Sequence, residues 1–222
     1  MDLDFVLGIT GGIGSGKTTL LDILKQDYGA TLFIADQVGH EVFDSDSESF
    51  SRIVSHFGSV ILDKDGNVRR DELARIIFQD ESEKEFLDSI VHPYVIHRIQ
   101  DEIVSWRSCV QTGSPVSEQG GSVRLFVLET ALMFETGCDS LCNEVWGVTA
   151  SVPIRIRRLI DNRGYSSDKA SAIIASQVSD DFLIRHCDHI IENNGGLNDL
   201  KEALKPELDR FLCSADTATG KR

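Results

Sequence analysis

No apolar run in the chain approaches 18 residues, so no segment reads as a membrane-spanning helix. Basic charge is scarce: 22 Lys and Arg against 36 Asp and Glu leave a formal net charge of -14. That balance excludes the broad basic surface a general nucleic-acid or membrane-surface binder would need, though it leaves room for a small anionic substrate. No CxxC pair is present. The cysteines Cys109, Cys138, Cys142, Cys187 and Cys213 are odd in number and loosely spaced, which fits reduced thiols in a cytoplasmic protein better than a disulfide framework. Cys138 and Cys142 could sit one helical turn apart, but a zinc site would need two further ligands and none lies near in sequence. The opening Met-Asp-Leu-Asp lacks the basic flank of a signal peptide, and there is no internal repeat.

What is present is ordinary globular composition, 41% hydrophobic and 26% charged over 222 residues. That length suits one α/β domain, or a core with a small insertion. Residues 3–9 read as a buried strand, a Gly-rich turn follows, and helical spacing of Leu20, Leu21 and Leu24 predicts a helix from about Lys17 to Tyr28, capped by Gly29. Residues 30–35 make a second strand, which completes a βαβ unit and implies a parallel sheet. Residues 37–107 read mostly as helix, with a turn at Asp65-Gly66-Asn67 and a helix boundary at His92-Pro93. Residues 108–122 read as a Ser- and Gly-rich surface loop. Further strands are expected at 123–129, 144–150 and 189–191, helix from Pro153 to about Phe182 with a break at Gly164-Tyr165, a final helix at about 198–212 and a frayed tail from 213 or 214.

Gly11-Gly12-Ile13-Gly14-Ser15-Gly16-Lys17-Thr18 matches G-x-x-x-x-G-K-[ST] in full. Glycines let the backbone curl so that successive N–H groups point at phosphate oxygens, and the helix that follows presents its positive end. Lys17 is placed for the β- and γ-phosphates and the Thr18 hydroxyl for Mg²⁺. A strand before the loop and a helix after it supply the required context. The motif specifies a nucleoside triphosphate site without naming a reaction.

The reaction class comes from what surrounds the loop. There is no guanine-reading N-K-x-D segment, and Asp63-Lys64-Asp65-Gly66, although it fits D-x-x-G, sits where a turn is expected. A small-molecule kinase needs an acceptor site, a mobile cover and arginines that neutralise the transferring phosphoryl group. Arg155, Arg157, Arg158 and Arg163 supply such a cluster; a solvated helix face is the plainer reading of the same residues. Asp36 follows the second strand, where a carboxylate can orient or deprotonate an acceptor hydroxyl, or simply cap a helix starting at Gln37. Glu129 ends the third strand, where an acid can hold a magnesium-bound water, or be one more strand-end charge.

Taken in order, these residues resemble the dephospho-CoA kinase family, from about Leu7 to Gly195. The resemblance is carried by Gly8-Ile-Thr-Gly-Gly-Ile-Gly-Ser-Gly-Lys-Thr-Thr19, Ala35-Asp36, His56-Phe57-Gly58 and Asp65-Gly-Asn-Val-Arg-Arg70 with Leu73 and Phe78. It continues through His92-Pro93, Glu129-Thr-Ala-Leu-Met-Phe-Glu135, Arg158-Leu159, Gln177 and Asp188-His-Ile-Ile-Glu-Asn193. The resemblance implies a P-loop kinase core with a parallel sheet flanked by helices, formed by residues 1–36 and 123–212, with a helical acceptor-binding insertion at 37–107 and a lid at about 153–178. It implies transfer of the ATP γ-phosphoryl group to the ribose 3′-hydroxyl of dephospho-CoA, with Mg²⁺, and with no nucleic acid, membrane or obligate protein partner. Asp36, Lys17 and Arg158 would then be catalytic, and the loop from Gly11 to Thr19 would hold ATP. Asn193 would lie near adenine, and Arg70, His92 and Glu129 would serve the acceptor.

Three departures bear on those roles. Ile34 stands where the family often has the first Asp of Asp-Ala-Asp. Ala131 replaces a proline in the loop after the third strand. Counting back from Gln177, the second lid arginine falls on Asn162, one residue before Arg163, and one helical residue is a rotation of about 100°. Two alternatives remain: another P-loop nucleotide or metabolite kinase, and a switch protein that binds ATP without catalysis.

Overall fold

The computed structural model describes residues 3–44, 47–109 and 123–218. The chain divides into two compact units, Met1–Phe33 with Cys109–Arg222, and Ile34–Ser108. The strands are β1 (Leu3–Thr10), β2 (Thr31–Ile34), β3 (Val123–Glu129), β4 (Glu144–Thr149) and β5 (His189–Glu192). The helices are α1 (Lys17–Tyr28), α2 (Ala35–Val38), α3 (Glu48–Phe57), α4 (Arg70–Gln79), α5 (Glu81–Cys109), α6 (Val152–Arg163), α7 (Ser167–Ala175), α8 (Asp180–His186) and α9 (Leu197–Ala218).

The first unit is built on one five-stranded sheet in the order β2-β3-β1-β4-β5. β1 pairs in parallel with β3 on one side and β4 on the other, and β4 pairs in parallel with β5. Strands covered on both faces read as unbroken apolar runs. Val6, Leu7 and Ile9 of β1 and Val145, Trp146 and Val148 of β4 are accordingly buried. Leu20, Leu21, Ile23 and Leu24 of α1 pack into the same core, as do Leu200, Leu204, Leu208 and Phe211 of α9 at spacings of four, four and three. Each such side chain contributes about 1.5–3 kcal/mol by leaving water. α1 stops at Gly29, whose left-handed φ of 65° turns the chain so that the Ala30 N–H donates back to the Leu24 carbonyl at 3.1 Å.

A polar strut ties the start of β4 to α9. Arg210 donates to both Glu144 carboxylate oxygens, at 3.1 and 2.8 Å, and Trp146 Nε1 donates to the same carboxylate at 2.8 Å. Burial alone would raise the Glu144 pKa, but the hydrogen bonds from Arg210 and Trp146 outweigh it and hold the carboxyl below its usual range. A depressed folded-state pKa stabilises the fold above the unfolded value of about 4.3, and that stabilisation is lost as pH falls through the folded value. Arg210→Met is therefore expected to lower stability by about 1 kcal/mol near neutrality, discounted for the exposure of Arg210. Urea unfolding should show the gap closing in acid; a gap of equal size at pH 7 and pH 3 would contradict the assignment.

The second unit is helical. Val42, Ile53, Phe57, Ile61, Leu73, Leu87 and Ile90 form its core. Ser47 caps α3 by accepting from the Phe50 N–H at 2.9 Å. The D-x-x-G segment is a turn: Asp63 Oδ1 accepts from the N–H groups of Asp65 and Asn67, both at 2.9 Å, and these backbone bonds, Asn67 first, hold its carboxyl below the usual range.

Three sequence-based boundaries are corrected. His92-Pro93 does not end a helix, because α5 runs unbroken from Glu81 to Cys109. Leu87 and Ile90 before the proline, and Val95, Ile99 and Ile103 after it, are all buried, and that burial outweighs the roughly 3 kcal/mol of an internal proline. α9 continues through Ala218 rather than stopping at 212; Ser-Ala-Asp-Thr-Ala contains neither Gly nor Pro to stop it. Asp36 does not cap a helix beginning at Gln37, since it lies inside the short α2, whose N-cap is Ile34. Most of the expected loop at 108–122 and the last four residues of the tail lie outside the described residues.

Candidate active site

β1 runs buried to Thr10 and the chain then curls through Gly11–Gly16 into α1. Gly11 has φ 148° and a Cβ there would strike the Val148 carbonyl of β4. Gly16 has φ 98° and its Cβ would strike the Asn193 side chain. Glycine is thus required both for the turn and for the close approach of two neighbouring strand ends. No side chain caps α1 at Gly16, so the N–H groups of Thr18 and Thr19 stand at the positive end of a twelve-residue helix. Both threonines are exposed.

Lys17 Nζ donates to the Gly11 carbonyl at 2.7 Å and lies 3.7 Å from Glu129 Oε1. Glu129 ends β3 and is 7% exposed. In β1–β3 pairing it stands opposite Ile9, next to the loop. Open parallel sheets place ligands at the carboxyl ends of strands where the order reverses about a central one, and β1 is that strand here.

The arginine cluster splits by helical direction. Arg155 and Arg158, three apart, share the α6 face that meets the loop, whereas Arg157 is exposed beside Asp161 at 3.6 Å. Arg158 donates through Nη1 to the carbonyls of Gly14 and Ser15 at 3.2 and 3.1 Å, and through Nη2 to the Asn193 carbonyl and side chain at 3.0 and 3.3 Å. Asn193 returns the tie, its Nδ2 donating to the Ser15 carbonyl at 2.8 Å. Ser15 Oγ is buried without a hydrogen-bond partner among the described residues, a polar orphan inside the loop. Arg163 is exposed at the end of α6, ahead of Gly164 in the left-handed conformation.

Gly11–Thr19, Glu129, Arg158 and Asn193 are thus brought together within the first unit. Asp36, Arg70 and His92 belong to the second. Asp36 is exposed on α2, one turn of helix that begins where β2 ends. Arg70 opens α4 with its guanidinium 5.7 Å from the centre of the Phe43 ring. His92 is half-buried on α5, 3.7 Å from Asp88 one turn earlier. Arg155, to which the sequence assigns no role beyond its place in the cluster, is 3% exposed and bonded to the loop at Ile13. Its spacing of three from Arg158 was the signal that could have found it.

A strand–loop–helix phosphate cradle on a parallel sheet, braced by arginines from one following helix, marks the core of a P-loop kinase. The model of the dephospho-CoA kinase family matches residues 5–199, and the chain belongs to that family. A dephospho-CoA kinase of Moorella thermoacetica is 32% identical over 211 residues, covering 94% of each chain. One of Corynebacterium glutamicum is 34% identical over 194 residues, covering 87% of this chain and 90% of its own. Among solved structures, dephospho-CoA kinase from Campylobacter jejuni superposes with a TM-score of 0.66 over 96% of this chain and 99% of its own; at 20% identity that likeness speaks for the fold. The protein is therefore a kinase, and among the described residues no helix is long and apolar enough to cross a membrane.

Proposed function

We propose that the protein transfers the γ-phosphoryl group of ATP to the ribose 3′-hydroxyl of dephospho-CoA, releasing coenzyme A and ADP in the cytoplasm. The observation that carries this reading is the complete phosphate loop, with Lys17 beside Glu129 and Arg158 tied to its carbonyls, in a chain of this family. The acceptor oxygen attacks the γ-phosphorus, the bond to the β–γ bridging oxygen breaks, and the hydroxyl proton passes to Asp36. Lys17 and the α1 amides offset charge on the phosphates, and Asn193 and Arg158 hold the loop that presents them. Thr18 and Glu129 offer hard oxygen donors of the kind Mg²⁺ takes, directly or through water, and the ion would neutralise charge on the phosphate oxygens. Arg70 and His92 serve the acceptor from the second unit, and the α6–α7 segment closes over the nucleotide. All partners in this reading are small molecules.

The test is ADP release with ATP, Mg²⁺ and a panel of dephospho-CoA, AMP, CMP and shikimate. Turnover is expected with dephospho-CoA. Turnover confined to AMP or CMP would place the protein with the nucleotide kinases, and ATP binding without turnover of any acceptor would make it a switch.

A further inference from the structure

Ile13, in the middle of the phosphate loop, is held on three sides. Its side chain packs against the cluster of Leu159, Ala170 and Ile174 from α6 and α7. Its carbonyl accepts from Arg155 Nε at 2.8 Å, and its N–H donates to Gln177 Oε1 at 2.7 Å. Arg155 Nη2 closes the ring by donating to the same Gln177 oxygen at 3.1 Å. Asp180, at the start of α8, lies 3.5 Å from Arg155 Nη1 and supplies a counter-charge. A guanidinium is suited to this position because its planar fork can serve three acceptors in fixed directions. Gly12 beside it has no room for a Cβ, which would strike the Arg155 guanidinium. The clamp and the loop are therefore fitted to each other.

We propose that Arg155 and Gln177 are positioning residues that grip both backbone polar groups of Ile13, its N–H and its carbonyl, and so preset the phosphate loop for its nucleotide. A loop with four glycines among its first six residues is conformationally free in isolation. Restraining it during folding removes an ordering cost that nucleotide binding would otherwise bear. The clamp rests on the ATP-binding reading above, and its effect falls on the nucleotide rather than the acceptor.

The test compares the parent with Arg155→Met, Gln177→Met and the double variant. MgADP affinity is measured by calorimetry without acceptor, alongside the KM values for ATP and dephospho-CoA. Each single variant is expected to weaken MgADP about tenfold, as loss of charge-assisted bonds in one network would. The double variant should be no more than about threefold worse than the weaker single, because the two residues form one ring. The KM for dephospho-CoA should move less than about twofold. A merely structural role would lower Tm and leave MgADP affinity alone; that result, or fully additive losses, overturns the proposal. Gln177 sits half-buried after α7, so Gln177→Met decides the matter if Arg155→Met fails to fold. If the parent binds MgADP but ignores dephospho-CoA, the proposed reaction fails and the clamp is judged on MgADP alone; if the parent does not bind MgADP, both fail.

Discussion

Asp36→Asn is expected to lower kcat by about 10²–10⁴-fold while MgADP affinity stays within about twofold of the parent. The exchange keeps the shape and size of the side chain and removes the carboxylate that would accept the hydroxyl proton. It is a severe test in this chain because Ile34 and Ala35 precede Asp36, so no carboxylate immediately before it can substitute. Steady-state rates with saturating ATP and dephospho-CoA, paired with calorimetry, separate the outcomes. An unchanged kcat would remove Asp36 from the chemistry. A fall of only about tenfold would favour orientation of the hydroxyl over proton removal, since an amide oxygen can still accept its hydrogen bond.

Lys17→Ala is expected to reduce kcat/KM for ATP by about 10²–10³-fold and to weaken MgADP as well. Two observations set the direction. Lys17 Nζ is fastened to the Gly11 carbonyl, so its ammonium is held at the loop rather than free in solvent. It also stands 3.7 Å from the carboxylate of Glu129, so its removal alters the charge beside any ion that Glu129 helps to hold. Because Lys17 meets the phosphates before and during transfer, both affinity and rate should fall, unlike the rate-only loss at Asp36. Wild-type kinetics in Lys17→Ala would contradict the phosphate-loop assignment.

The sheet and the loop were legible because their causes are local. A strand buried on both faces must be apolar along its length, and a G-x-x-x-x-G-K-T turn needs its residues at fixed spacing. The α5 boundary was not legible. A proline disfavours helix in the residue before it, yet five buried apolar residues from Leu87 to Ile103 hold the backbone helical on both sides, and the burial of Leu87 and Ile90 depends on α3 and the segments around it. The arginines show the same limit within the site. Composition marks a cluster of four, but only helical geometry sorts Arg155 and Arg158 onto the loop and Arg157 into solvent. Asn193 is a further case. Placed near adenine by the resemblance, it is buried, and its amide serves Ser15, 178 positions earlier.

That separation has a consequence for the order in which the molecule can mature. The loop lies within the first 20 residues, yet the groups that hold it come from Arg155, Arg158, Gln177 and Asn193, with separations of 142 to 178 positions. A nascent chain therefore exposes its phosphate loop long before the ribosome has made the side chains that shape it. Contacts so distant in sequence must wait for chain closure. Nucleotide affinity should accordingly appear late and abruptly during synthesis. A truncation ending before β5 would retain the whole G-x-x-x-x-G-K-T motif and still fail to retain nucleotide.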